Sequence, residues 1–189
     1  IVAAWSILSW AAWPVLAPLT DVADGQVEAT EEPRWQQLSG STLLRWMAVY
    51  GTGMSLLLVL VQYVWSVQVE ARFADEAATA SFVGAVHAAV TLGSLVVSLA
   101  LVRPLLRRYG TPSPLVVQAG IFVAGFALLA IAPSFLGVVL FHIAAHSWLD
   151  GGGEPAYHGT LYGLPARIRE RGRAIMEGVC LPLGEVLGS

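Results

Sequence analysis

The sequence predicts an all-α, polytopic membrane helix bundle, and three observations predict it. Hydrophobic residues make up 56% of the 189-residue chain and charged residues only 12%, with a mean hydropathy of +0.68. A water-soluble domain carries about 25% charged residues, so a chain with half that share needs lipid around much of its surface. Apolar runs recur at about the 20 residues that a helix needs to cross a bilayer. Seven tryptophans and five tyrosines suit the aromatic belts at membrane–water interfaces.

The elements follow in order. Residues 1–18, IVAAWSILSWAAWPVLAP, lack the basic leader and small-residue cleavage site of a signal peptide. They read as the tail of a preceding transmembrane helix. Both ends of the chain fall in apolar sequence, so it is expected to be a fragment, with an N-terminal half of the same chain as a missing partner. Residues 19–41 are acidic, polar and interrupted by Pro33; they read as a flexible linker with a short helix near Trp35. From 42 to 189 the chain predicts a C-terminal transmembrane bundle. Its helices are expected at about 43–68, 78–102, 113–132 and 135–150, with a truncated one at 174–189. Trp46 to Val69 is free of charge, and Ala77 to Val102 holds one ionisable group, His87. Tyr109 to Leu149 is too long for one crossing and is divided by Pro133 and Ser134.

Arginine sets the expected orientation. Arg103, Arg107 and Arg108 form one cluster, and Arg167, Arg169, Arg171 and Arg173 a second. Two crossings separate them, so both face one side, which the positive-inside rule makes cytoplasmic. That parity predicts a multi-pass protein of the cell (inner or plasma) membrane with a cytoplasmic linker. Both clusters serve as gating or anchoring elements in this reading.

The composition also excludes chemistry. There is no lysine, which rules out a P-loop, whose lysine reaches the phosphates, and Schiff-base catalysis. A single cysteine, Cys180, permits no internal disulfide and no cysteine-based zinc cluster. No acid–base pair or nucleophile triad has enzymatic spacing, and nothing points to nucleic acid. The chain is expected not to be an enzyme and to need no cofactor.

The stretch HIAAHSWLDGGGEPAYHGTLYGLP, residues 142–165, carries the densest polarity. His142, His146 and Asp150 are spaced i, i+4, i+8 and share a face on a continuous helix. Ionisable groups on a membrane helix point into the bundle or a water-filled cavity. A metal site, a pathway or proton-coupling role, and satisfied structural polar groups are the three readings. Two histidines supply only half a metal site, and no metal is expected. The glycine run reads as a break that ends the helix and lets the chain re-enter, forming a polar mouth.

VQVEARFADEAATASFVG, LVRPLLRRYG and HSWLDGGGEPAYHGTLYGLPARIRERGRAIMEGVCLPLG resemble the C-terminal half of the ATP/ADP translocase-type nucleotide transporters, relatives of the major facilitator superfamily. The resemblance runs from about Leu44 to the end. It rests on Ser147, Leu149 and Asp150, on Glu154 with Tyr157, on Leu164–Pro165 and on RAIMEG at Arg173 to Gly178. It implies half of a facilitator-type bundle that moves an organic anion, such as a nucleotide, by alternating access. Gln68, His87, His142, His146, Asp150, Glu154, Tyr157 and Glu177 are the implied pathway candidates. The lysine that the family carries beside its glutamate is absent here. A buried polyanion needs fixed positive charge, so the resemblance supports transport more strongly than nucleotide. The rival expectation is a non-transporting membrane scaffold or sensor domain of a multidomain protein.

Overall fold

The computed structural model describes residues 42–162 and 166–188, all of whose regular structure is helical. The tail at 1–18, the linker at 19–41 with its helix near Trp35, and Leu164–Pro165 lie outside the described residues. Helix α1 covers Thr42–Arg72. Helix α2, Glu76–Val96, runs through a π-helical turn, Val97–Val102, into α3, Arg103–Tyr109. Helix α4 covers Ser113–Ile131. Helix α5, Phe135–Trp148, continues through a second π turn, Leu149–Gly153, into α6, Glu154–Leu161. Helix α7, Ala166–Ile175, passes a third π turn, Met176–Cys180, into α8, Leu181–Gly188.

Local chemistry sets the boundaries. Asp75 caps α2 by accepting from the Ala78 N–H at 2.9 Å, and Ser134 caps α5 by accepting from the Gly137 N–H at 3.1 Å. Such caps satisfy amides that the first helical turn leaves open. Gly110 ends α3 with a φ of 79°, its N–H bonded to the Leu106 carbonyl. Only glycine takes that left-handed φ without a Cβ penalty. Pro133 follows the end of α4, where a helix cannot continue.

Among the described residues, three spans are long and apolar enough to cross a membrane: Thr42–Arg72, Glu76–Tyr109 and Ser113–Ile131. The described part of the protein is therefore all-helical and of membrane type. At about 1.5 Å per residue, the 31 residues of α1 reach about 46 Å, more than the roughly 30 Å hydrocarbon core.

Helix α5 sits between the others. Phe141 and Ala145 pack with Met54, Leu57 and Val61 of α1 and with Phe122 of α4. Val138 and Val139 meet Trp65 and Val69 of α1 and Val86 of α2. Ser147 donates to the Val90 carbonyl of α2 at 3.2 Å, and the Trp148 indole N–H donates to the Pro114 carbonyl at 2.9 Å. Helix α8 lies along α1: Ser55 donates to the Leu181 carbonyl at 2.9 Å, and a Cβ on Gly184 would strike the Thr52 carbonyl. Small residues permit this close approach, as in other membrane helix pairs.

Two expectations change. The glycine run does not break the helix or turn the chain back. Gly151, Gly152 and Gly153 are buried, and the chain stays helical from Phe135 to Leu161. A Cβ on Gly151 would meet the Ser94 carbonyl and Val97, one on Gly152 would meet Val102, and one on Gly153 would overlap Gln118. The glycines are there for contact between helices. Nor does the final helix begin near 174: the second arginine cluster belongs to α7, which starts at Ala166.

Candidate functional site

Helices α5 and α6 carry two polar zones, one after the other. The first is a histidine seam among α1, α2 and α5. His142 is 4% exposed, and its ring stacks on Trp65 of α1 with centroids 4.4 Å apart. His146 lies one turn on, its ring centroid 4.3 Å from that of His142. The Nδ1 of His142 and the Nε2 of His146 are buried without a hydrogen-bond partner. His87 on α2 is exposed, its Nδ1 3.1 Å from the Val83 carbonyl of its own helix. Asp150, also exposed, follows His146 by four residues. Among the described residues, no three His, Cys, Asp or Glu side chains converge as a metal-binding set.

The second zone is an open-sided cavity of about 240 Å³ lined by α1, α4, α6 and α8. Its polar walls are Gln118, Glu154, His158 and Glu185, with the rings of Tyr50 and Tyr157. Gln118 is the built feature. It is 1% exposed, deep in an otherwise apolar helix, and its Nε2 has no partner. Gly153 makes room for it, since any Cβ there would overlap the amide oxygen. Tyr50 donates to the Leu115 carbonyl at 3.3 Å and Tyr157 to the Met47 carbonyl at 3.4 Å. With their hydroxyls anchored, the rings stack 6.2 Å apart and form a fixed wall. Glu154 Oε1 lies 3.8 Å from His158 Nε2.

His158 belongs to two hollows. It also lines a neighbouring one, again about 240 Å³, with Arg169, Glu170 and Arg173 of α7. Arg169 there lies over the Tyr162 ring at 5.0 Å. Arg173 pairs with Glu177 at 2.6 Å; that hydrogen bond, then the nearby charge, holds the guanidinium pKa above its ordinary value. The cavity and the arginine-rich mouth thus share one wall.

The structure brings some of the expected residues together and separates others. His142 and His146 form the seam, with His87 exposed on α2 and Asp150 exposed one turn beyond His146; Glu154 and Tyr157 line the cavity. Gln68 is exposed near the far end of α1, and Glu177 pairs with Arg173 near the mouth. Arg103, Arg107 and Arg108 are exposed on α3, while the side chains of Arg167 and Arg171 lie outside the described set. Gln118, His158, Tyr50 and Glu185 were not among the candidates. Two of these had a signal: Gln118 is a lone amide in a 19-residue apolar helix, and His158 extends the four-residue spacing of 142, 146, 150 and 154.

No protein-family model, curated protein or solved structure matches this chain.

Proposed function

We propose that this chain is part of an alternating-access membrane transporter, with the Gln118 cavity as its solute site. The observation that carries the reading is the unpartnered, fully enclosed Gln118 amide facing a hollow whose wall it shares, through His158, with the arginine-rich mouth. A buried amide without a partner costs about 1–3 kcal/mol, and a bound solute is the partner that recovers it. Two carboxylates in an apolar bundle point the same way. At roughly 2.5–3.5 kcal/mol for a charged residue facing lipid, Glu154 and Glu185 favour a polar cavity over the bilayer.

The lining also supports a solute class. Among the described residues it holds two carboxylates and no arginine, and its volume falls below the roughly 300–1,000 Å³ of sites for drug-sized ligands. A compact amine-bearing solute suits it better than a nucleotide or another polyanion. The Gln118 N–H donates to the solute's carbonyl or carboxylate, while Glu154 or Glu185 pairs with its ammonium. In this reading the arginine-bearing ends of α3 and α7 face the cytoplasm.

The test is transport by the full chain in liposomes, followed as solute-evoked current across a panel of small amines, amino acids, ATP and ADP. A saturable signal from the amine-bearing group, lost in Gln118→Leu, is expected. Exchange of ATP against internal ADP would overturn the solute class. No flux of any panel member by folded protein would overturn transport and favour the scaffold reading.

A further inference from the structure

The histidine seam lies outside the solute cavity, and the proposed solute leaves it unused. We propose that His142 and His146 form a proton-binding site, and that Asp150 and Glu154 connect it to the solute cavity, so that the coupling ion is a proton. The delivery half rests on the transport reading above; the binding half does not.

The geometry carries the binding half. Two imidazoles at 4.3 Å each bring a buried nitrogen that nothing else satisfies. One proton is the occupant such a pair accepts, because two adjacent imidazolium charges repel while a single one is shared between neighbours. Trp65 stacks on His142 at 4.4 Å, and an indole face attracts a cation held against it. A metal ion is the poorer occupant, since the described residues supply no third ligand in range. The groups facing the pair are few. His87 comes from α2 and Asp150 from the same helix; α1 presents Trp65, and α4 contains no ionisable side chain. His87 is exposed on α2.

The path onward follows the helix. His142, His146, Asp150, Glu154 and His158 recur every fourth residue. On a straight α-helix such a series drifts by about 40° per step and soon leaves one face. The π turn at Leu149–Gly153, closed by the Glu154 N–H to the Leu149 carbonyl, adds a residue to its turn and takes back part of that drift. Asp150 follows His146 by four residues, and across the π turn Glu154 meets His158 at 3.8 Å. In the first transfer an N–H bond of protonated His146 breaks as an O–H bond forms on Asp150. The imidazole is left neutral, and no electrons change hands.

Trp65 reports on the site directly, because a protonated imidazole stacked on an excited indole quenches its emission. The full chain in lipid is titrated from roughly pH 8 to 4, spanning the ordinary histidine range and its acid side. Subtracting the Trp65→Phe spectrum isolates the contribution of Trp65. Expected is an acid-dependent loss of that emission, absent in His142→Gln and shifted along the pH axis in His146→Gln. The last variant keeps the test alive if His142→Gln does not fold. A Trp65 contribution that stays flat with pH, or a loss that persists in His142→Gln, overturns the proton site. Solute-evoked acidification inside liposomes then tests delivery, with a loss of at least tenfold expected in Asp150→Asn. Solute flux without proton movement overturns the coupling and leaves the transport reading standing. A Trp65 titration as expected, with no solute flux, overturns transport and leaves the proton site standing.

Discussion

Helices α2–α3 and α5–α6 each run on through a π turn but differ in what surrounds them. The first is apolar enough to be recognised as a membrane span, yet only 22% of its most apolar window is buried inside the protein. Leu92, Leu95, Val96 and Leu99 all point outward. Helix α5 with α6 is not among the three apolar spans, yet it is packed by α1, α2 and α4 and carries both polar zones. Hydrophobicity does not separate the two, since α5 is no less apolar than α1 or α2. What differs is the surroundings: α5 is packed among other helices, so it can hold a buried histidine and buried glycines that lipid would penalise, while Asp150 and Glu154 stay exposed.

That contrast can be broken or sharpened by substitution, read as thermal unfolding of the protein in lipid nanodiscs. Phe141→Ala, which removes a ring packed on Phe122 and Phe126, is expected to cost about 3–5 kcal/mol. Gly151→Val drives a side chain into the Ser94 carbonyl and Val97; overpacking of this kind costs about 1–3 kcal/mol. Gln118→Leu removes an unpartnered polar atom at similar volume, so stability changes by less than about 1 kcal/mol while solute flux falls at least tenfold. Leu99→Ala, on the lipid-facing side of the π turn between α2 and α3, is expected to change stability by no more than about 0.5 kcal/mol. A Leu99→Ala loss as large as that of Phe141→Ala would erase the distinction between the two helices.

Much of the helical layout is visible in the chain because the features that set it are local. Asp75, Ser134 and Gly110 act through their own neighbours, and long apolar runs declare themselves. The site is less legible. That His142 stacks on Trp65 depends on how α1 and α5 are set against each other, which no spacing within either helix contains. The glycine run misleads because glycine serves two opposite purposes. In a loop it gives freedom, whereas in a buried π turn it lets Gln118, Val97 and Val102 approach the backbone. Gln118 and His158 were readable in principle, one as a solitary amide and the other as the next step of a four-residue series. Gly153 ties Gln118 to the site, and only the folded chain shows that contact.

The most direct measurement of the central claim compares aqueous access to the two helices. Cys180 is the chain's sole cysteine, so single thiols are placed by Glu154→Cys and Leu99→Cys in a Cys180→Ala background. Each full chain, reconstituted in liposomes, is treated with a charged, membrane-impermeant thiol reagent. A water-accessible solute cavity predicts that Glu154→Cys reacts readily and is protected by transported solute, while Leu99→Cys stays unmodified. An inert thiol at 154, in protein that a lipid-soluble reagent still labels there, would place α6 against lipid and contradict the account.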